Sequence, residues 1–111
     1  MQQRTKEFAL RVIRMVETLP RTDVARIIAR QVLRAGTSVG ANYRAACRAR
    51  SRRDFVSKIG IVVEEADESL YWMELLVDAT IIQKDRLERL MKEANELTAI
   101  FTASLKTSKK S

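Results

Sequence analysis

The chain has 111 residues, 46% of them apolar and 32% charged, with a net charge of +7. That length suits one domain, 1–111, able to remove about two-thirds of its unfolded surface from water. Three glycines, one proline and one cysteine are too few turn formers for an all-β fold and allow no internal disulfide. They point instead to a few long helices in a reducing, cytoplasmic setting. No apolar run nears the roughly 20 residues of a bilayer span, and the N-terminus lacks a signal-peptide pattern, so no membrane role is expected.

The charge is unevenly placed. Residues 1–53 carry thirteen Lys/Arg against three Asp/Glu, or +10, and twelve of the thirteen are arginine. Residues 54–111 carry eight against eleven, or −3. Such asymmetry suits a polyanionic partner, or halves that attract one another.

The first helix is expected from about Thr5, as N-cap, to Leu19, with Phe8, Val12, Met15, Val16 and Leu19 on one side. Pro20 punctuates the chain, and Arg21, Thr22 and Asp23 offer a cap for the next helix. That second helix, 23–48, places Ile28, Val32, Ala35, Val39, Tyr43 and Ala46 on one side and Arg26, Arg30 and Arg34 on the opposite one. Arg44 and Arg48 follow Arg26 and Arg30 by about five whole turns, continuing one arginine stripe past the small residues Thr37 and Ala41. Gly36 and Gly40 would each weaken a helix by roughly 1 kcal/mol relative to alanine. Their presence inside this rod predicts close approach of another helix, within the bundle or across a subunit boundary.

Ser51 to Asp54 form a weak capping box opening the third helix. Phe55, Ile59, Val62, Ala66, Met73 and Leu76 make its core stripe, and Val63, Leu70 and Val77 widen it. Ile61, Trp72, Leu75 and Ala79 gather elsewhere on the same helix, a second apolar patch that a single-subunit helix does not need. Thr80 to Lys84 make a turn. Asp85 to Glu88 form another capping box, and Leu87, Leu90, Met91, Ala94, Leu97, Phe101 and Leu105 form one stripe. A basic tail from about Lys106 is expected to fray. The whole reads as all-α, an antiparallel up-down-up-down four-helix bundle.

Gly36-Thr-Ser-Val-Gly-Ala-Asn-Tyr-Arg44, then Ser51 with Asp54-Phe55, Glu65-Ala-Asp-Glu68 and Tyr71-Trp-Met-Glu-Leu-Leu76 resemble the four-helix-bundle family named after reading frames in intervening sequences of bacterial 23S rRNA. The resemblance spans nearly the whole chain. It implies antiparallel bundles that associate into a five-membered ring. It extends to the accessory variability proteins of diversity-generating retroelements, basic pentamers that engage a reverse transcriptase and nucleic acid. Ala45 stands where an acidic residue is common in the family, leaving the arginine stripe more uniformly positive.

Several sites follow. Arg26, Arg30, Arg34, Arg44 and Arg48, with Arg50, Arg52 and Arg53 at the turn, could bind the phosphates of RNA or DNA, since guanidinium forks suit phosphate oxygens. The same stripe could equally be solvated, or paired with Glu64, Glu68, Glu74 or Asp78. Gly36, Gly40, Ile61, Tyr71, Trp72 and Leu75 are the candidate subunit interface of a homo-oligomer. Asn42 is expected to fix packing register by hydrogen bonding a backbone group or a side chain of the third helix, and Cys47 to be a small packed residue. The chain has no histidine, which removes the Glu-x-x-His di-iron bundle. Glu65-x-x-Glu68 and Glu93-x-x-Glu96 imitate the magnesium motifs of helical nucleotide pyrophosphohydrolases, the remaining catalytic alternative to a non-catalytic protein without cofactors.

Overall fold

Two side-chain caps divide the first half of the molecule. The Thr22 hydroxyl accepts a hydrogen bond from the Ala25 backbone N–H at 3.2 Å, and Ser51 accepts one from Asp54 N–H at 3.0 Å. Each occupies one of the amide donors that a helix start leaves without a partner. The structure, a computed structural model, describes residues 1–110. Those residues form four helices: α1 (Gln2–Glu17), α2 (Asp23–Cys47), α3 (Arg52–Asp78) and α4 (Lys84–Lys110). α2 packs against α1 and α3, and α3 against α4, whereas α1 meets α4 only lightly. The molecule measures 46 × 21 × 19 Å, the proportions of 25–27-residue helices laid side by side.

The core is the one the heptad-like stripes predict. Phe8 and Val12 of α1, Val32 and Val39 of α2, Ile59, Val62, Met73 and Leu76 of α3, and Leu87, Leu97 and Phe101 of α4 are all buried. Burial of each such side chain contributes about 1.5–3 kcal/mol.

Helix ends differ from the sequence reading: α1 stops at Glu17, short of Leu19, and α4 starts at Lys84, so that Asp85 lies in its first turn. α1 begins at Gln2 rather than Thr5, and Thr5 is buried inside the helix, with its hydroxyl donating to the Gln2 carbonyl at 3.0 Å. The expected cap is thus a core residue that satisfies its own polar atom. α4 continues through Lys106 to Lys110, the stretch expected to fray. Half-buried Leu105 still packs on the core there, and Thr98 and Thr102 hydroxyls bond back to the carbonyls four residues earlier. At the α3–α4 turn, Thr80 adopts φ 61°. Thr80 N–H donates to Val77 O and Ile81 N–H to Leu76 O, the two bonds of a Schellman motif. The motif turns Ile82 inward, where it is buried.

Candidate nucleic-acid interface

α2 is uninterrupted from Asp23 to Cys47, and neither of its glycines adopts a positive φ. The notch is filled from within the chain. A Cβ added at Gly36 would lie 2.9 Å from Cγ2 of Val12, and one at Gly40 would lie 3.4 Å from the Thr5 carbonyl oxygen. Gly36 is buried by α1 and has no surface left for a neighbouring subunit, so it leaves the interface set expected from sequence. The small polar residues of this stretch serve their own helix. Thr37 and Ser38 hydroxyls donate to the carbonyls of Leu33 and Arg34 at 2.8 and 2.6 Å, and Asn42 Nδ2 to that of Ser38 at 2.9 Å. Asn42 thus bonds the backbone of its own helix, and not the neighbouring helix whose register it was expected to fix.

With α1 occupying the notch, the arginine stripe is left at the surface. Arg26, Arg30, Arg34, Arg44, Arg48, Arg50, Arg52 and Arg53 are all exposed. Arg34 is the one tied to carboxylates among the described residues: it binds Glu65 at 3.2 Å and also Glu68 on α3. Arg26 and Arg30 border a cleft of about 530 Å³ with Glu17 of α1 and Leu19 and Arg21 of the α1–α2 turn. Arg44 and Arg48 border another of about 490 Å³, completed by Gln2, Gln3, Thr5, Lys6 and Ala9 of α1 and by Thr37, Gly40 and Ala41. The stripe therefore splits. Arg34 leans over α3, and the others stand along the α1 side or at the α2–α3 turn.

Both carboxylate motifs are engaged by arginine. Glu65 and Glu68 hold Arg34, and Glu68 also accepts from Trp72 Nε1 at 3.2 Å. Arg4 of α1 forks onto Glu93 of α4, Nε to Oε2 at 2.8 Å and Nη2 to Oε1 at 2.7 Å, with Glu96 at 3.5 Å. The fork holds the Glu93 carboxyl below the ordinary glutamate range, against the opposing effect of partial burial, and Arg11 adds to the lowering. No group of three or more metal-ligating side chains is gathered among the described residues.

The second apolar patch of α3 is real but shallow: Ile61, Trp72 and Leu75 are half-buried, and Tyr71 is 53% exposed, edge-on to Trp72 at 5.2 Å. Val24 and Ile27 of α2, 59% and 62% exposed, join the exposed apolar surface and were not anticipated. Their signal was available, for they lie ten and seven residues before Arg34, off the Ile28–Val32–Ala35 core side. Cys47 is exposed, not packed. The last turn of α2 instead turns Tyr43 toward Phe101, with ring centroids 5.2 Å apart. Its phenol is held above the usual tyrosine range, chiefly by hydrogen bonding with Cys47 and then by burial. The Arg4–Glu93 fork and the part of Lys6 in the cleft also escaped the sequence reading, because each depends on which helices become neighbours.

Helices of this length, with one cationic rod seated on its neighbour through glycine, define an all-α four-helix protein with an arginine-rich face. Residues 1–103 match the family described as 23S rRNA-intervening sequence protein, and the chain belongs to it. Its fold is similar to that of a crystal structure at 1.70 Å of a protein of unknown function from the S23 ribosomal protein family of Bacteroides thetaiotaomicron. The two are 33% identical with a TM-score of 0.88, over 95% of this chain and 97% of the other. No curated protein matches the chain. No helix among the described residues is long and apolar enough to cross a membrane.

Proposed function

We propose that the chain is a non-catalytic, cytoplasmic scaffold protein: an antiparallel up-down-up-down bundle that self-associates, most simply as a pentameric ring, and engages nucleic acid through its arginine face. A nucleic-acid enzyme such as a reverse transcriptase is the kind of protein partner this reading admits. The observation that carries it is the exposure of eight arginines of which only Arg34 meets a carboxylate among the described residues. Seven unneutralised guanidinium groups on and beside one helix match the phosphate backbone, which is read by charge rather than by base sequence. Contacts of Gly36 with Val12 and of Gly40 with Thr5, ascending one helix while descending the other, support the antiparallel arrangement.

Self-association rests on apolar surface that one chain leaves uncovered: half-buried Ile61, Trp72 and Leu75 and exposed Tyr71 on α3, and exposed Val24 and Ile27 at the start of α2. Apposing the Val24–Ile27 patch of one copy to the α3 patch of the next is a head-to-tail contact, the kind that closes into rings, and it does not call on Arg30, Arg44 or Arg48.

Titration of labelled RNA and DNA at rising salt, with light scattering in parallel, tests both halves. Arg30→Glu/Arg44→Glu/Arg48→Glu is expected to lose nucleic-acid binding and keep its oligomeric mass. Loss of mass instead favours the second reading, a pure protein-interaction module whose arginines serve subunit contacts. Unchanged affinity in a correctly assembled variant refutes the nucleic-acid reading. Nucleotide turnover abolished by Glu65→Gln would revive the magnesium-dependent pyrophosphohydrolase alternative.

A further inference from the structure

The cleft between the start of α1 and the C-terminal half of α2 differs from the Arg26–Arg30 cleft, which Glu17 borders, in having cations on its rim and no acid. Its volume, about 490 Å³, lies in the range of small-molecule sites. Three cations border it, Lys6, Arg44 and Arg48, and no carboxylate does. None of the three forms an ion pair among the described residues, whereas Arg4 and Arg34 nearby are both neutralised by glutamates. Small residues, Ala9, Gly40 and Ala41, complete its lining. Gly40 brings its backbone against Thr5, and any larger side chain at position 41 would project into the space.

From this we infer a discrete phosphoryl pocket that takes the terminal phosphate of a single-stranded nucleic acid end, a phosphomonoester dianion carried on a nucleotide. The inference rests on the nucleic-acid reading above and narrows it. A duplex lies across a convex surface and presents phosphodiesters of single charge. A terminal monoester carries about −1.5 to −2 at pH 7, fits a recess, and better matches three cations bordering one cleft. Gln2 and Gln3 supply neutral amide donors around them, while the Thr5 and Thr37 hydroxyls are committed to the carbonyls of Gln2 and Leu33. The same chemistry could arrive as a free nucleoside monophosphate, and the experiment separates the two sources.

A short 3′-labelled single strand with a 5′-phosphate is compared by anisotropy with its 5′-hydroxyl counterpart, and a 5′-labelled pair differing at the 3′ end is treated alike. At least one phosphorylated strand is expected to bind roughly tenfold more tightly, as charge-assisted forks onto an extra anionic group provide. Excess adenosine monophosphate should erase that preference. Ala41→Phe, at an exposed position and without change of charge, should erase it too and leave the salt-sensitive residual binding intact; Arg48→Gln should lower it several-fold. Equal binding of phosphorylated and unphosphorylated strands overturns the pocket and leaves the broader surface reading standing, as does a preference that survives Ala41→Phe. Should no strand bind while adenosine monophosphate shifts the amide resonances of residues 2–9 and 37–48, the strand-end reading fails and a mononucleotide site remains.

Discussion

Thr80 carries a backbone conformation that suits its position and not its side chain. The left-handed region costs a non-glycine residue roughly 1–2 kcal/mol, and a β-branched side chain is the least tolerant. Here the φ of 61° is imposed by the two reversed hydrogen bonds that end α3 and by the burial of Ile82 just beyond them. Thr80→Gly removes the clash at the cost of a more flexible unfolded chain. The net expectation is a gain of about 1 kcal/mol, a few degrees in Tm, read by thermal or urea unfolding. A loss of stability would mean that the Thr80 side chain holds the turn through contacts of its own. Sequence offered no sign of this site, since the usual glycine of a helix end is absent and nothing else marks a left-handed residue.

Glycine at two helical positions has opposite meanings, which only the packing of elements reveals. Gly36 lies where Val12, itself fully buried, would meet a new methyl group at 2.9 Å, whereas a Cβ on Gly60 meets nothing within 4 Å. Alanine should therefore cost stability at Gly36, by about 1–2 kcal/mol once the gain in helix propensity is set against overpacking. At Gly60 it should add about 0.5–1 kcal/mol, because propensity is then unopposed. Denaturant midpoints of the two variants check the contrast; destabilisation or loss of oligomeric mass in Gly60→Ala would place a second chain's backbone against that face. The helices and their core sides were legible because apolar residues return every three or four positions, as Val32, Ala35 and Val39 do. The partner of the α2 notch was not. A helix read alone shows that something must come close to Gly36, and it takes the fold to show that the something is Val12 of α1.

At the scale of the molecule, the order of contacts makes closure of the bundle its weakest feature, because α1 packs well on α2 and only lightly on α4. The Arg4–Glu93 fork bridges that seam between the first helix and the last. Neither residue stood out in the sequence, and Glu93 attracted notice only as part of a metal-like motif that the structure assigns to a guanidinium. With Arg4 39% exposed, solvent screening limits the pair to about 1 kcal/mol even with bidentate geometry. Its pH dependence has a definite sign. Arg4 stays protonated throughout, and the Glu93 carboxyl titrates lower in the folded chain than in the unfolded one, so the unfolded chain binds the extra proton. Stabilisation is full above the ordinary glutamate range, around 4.3, and is lost as pH falls through the folded value. Urea unfolding of the parent chain and of Glu93→Gln should differ by about 1 kcal/mol at pH 7, and the difference should shrink toward zero below the folded pKa of Glu93. A gap that stays constant across that range would show that the seam is held by packing of the Glu93 stem, and that its charge contributes nothing to closing the bundle.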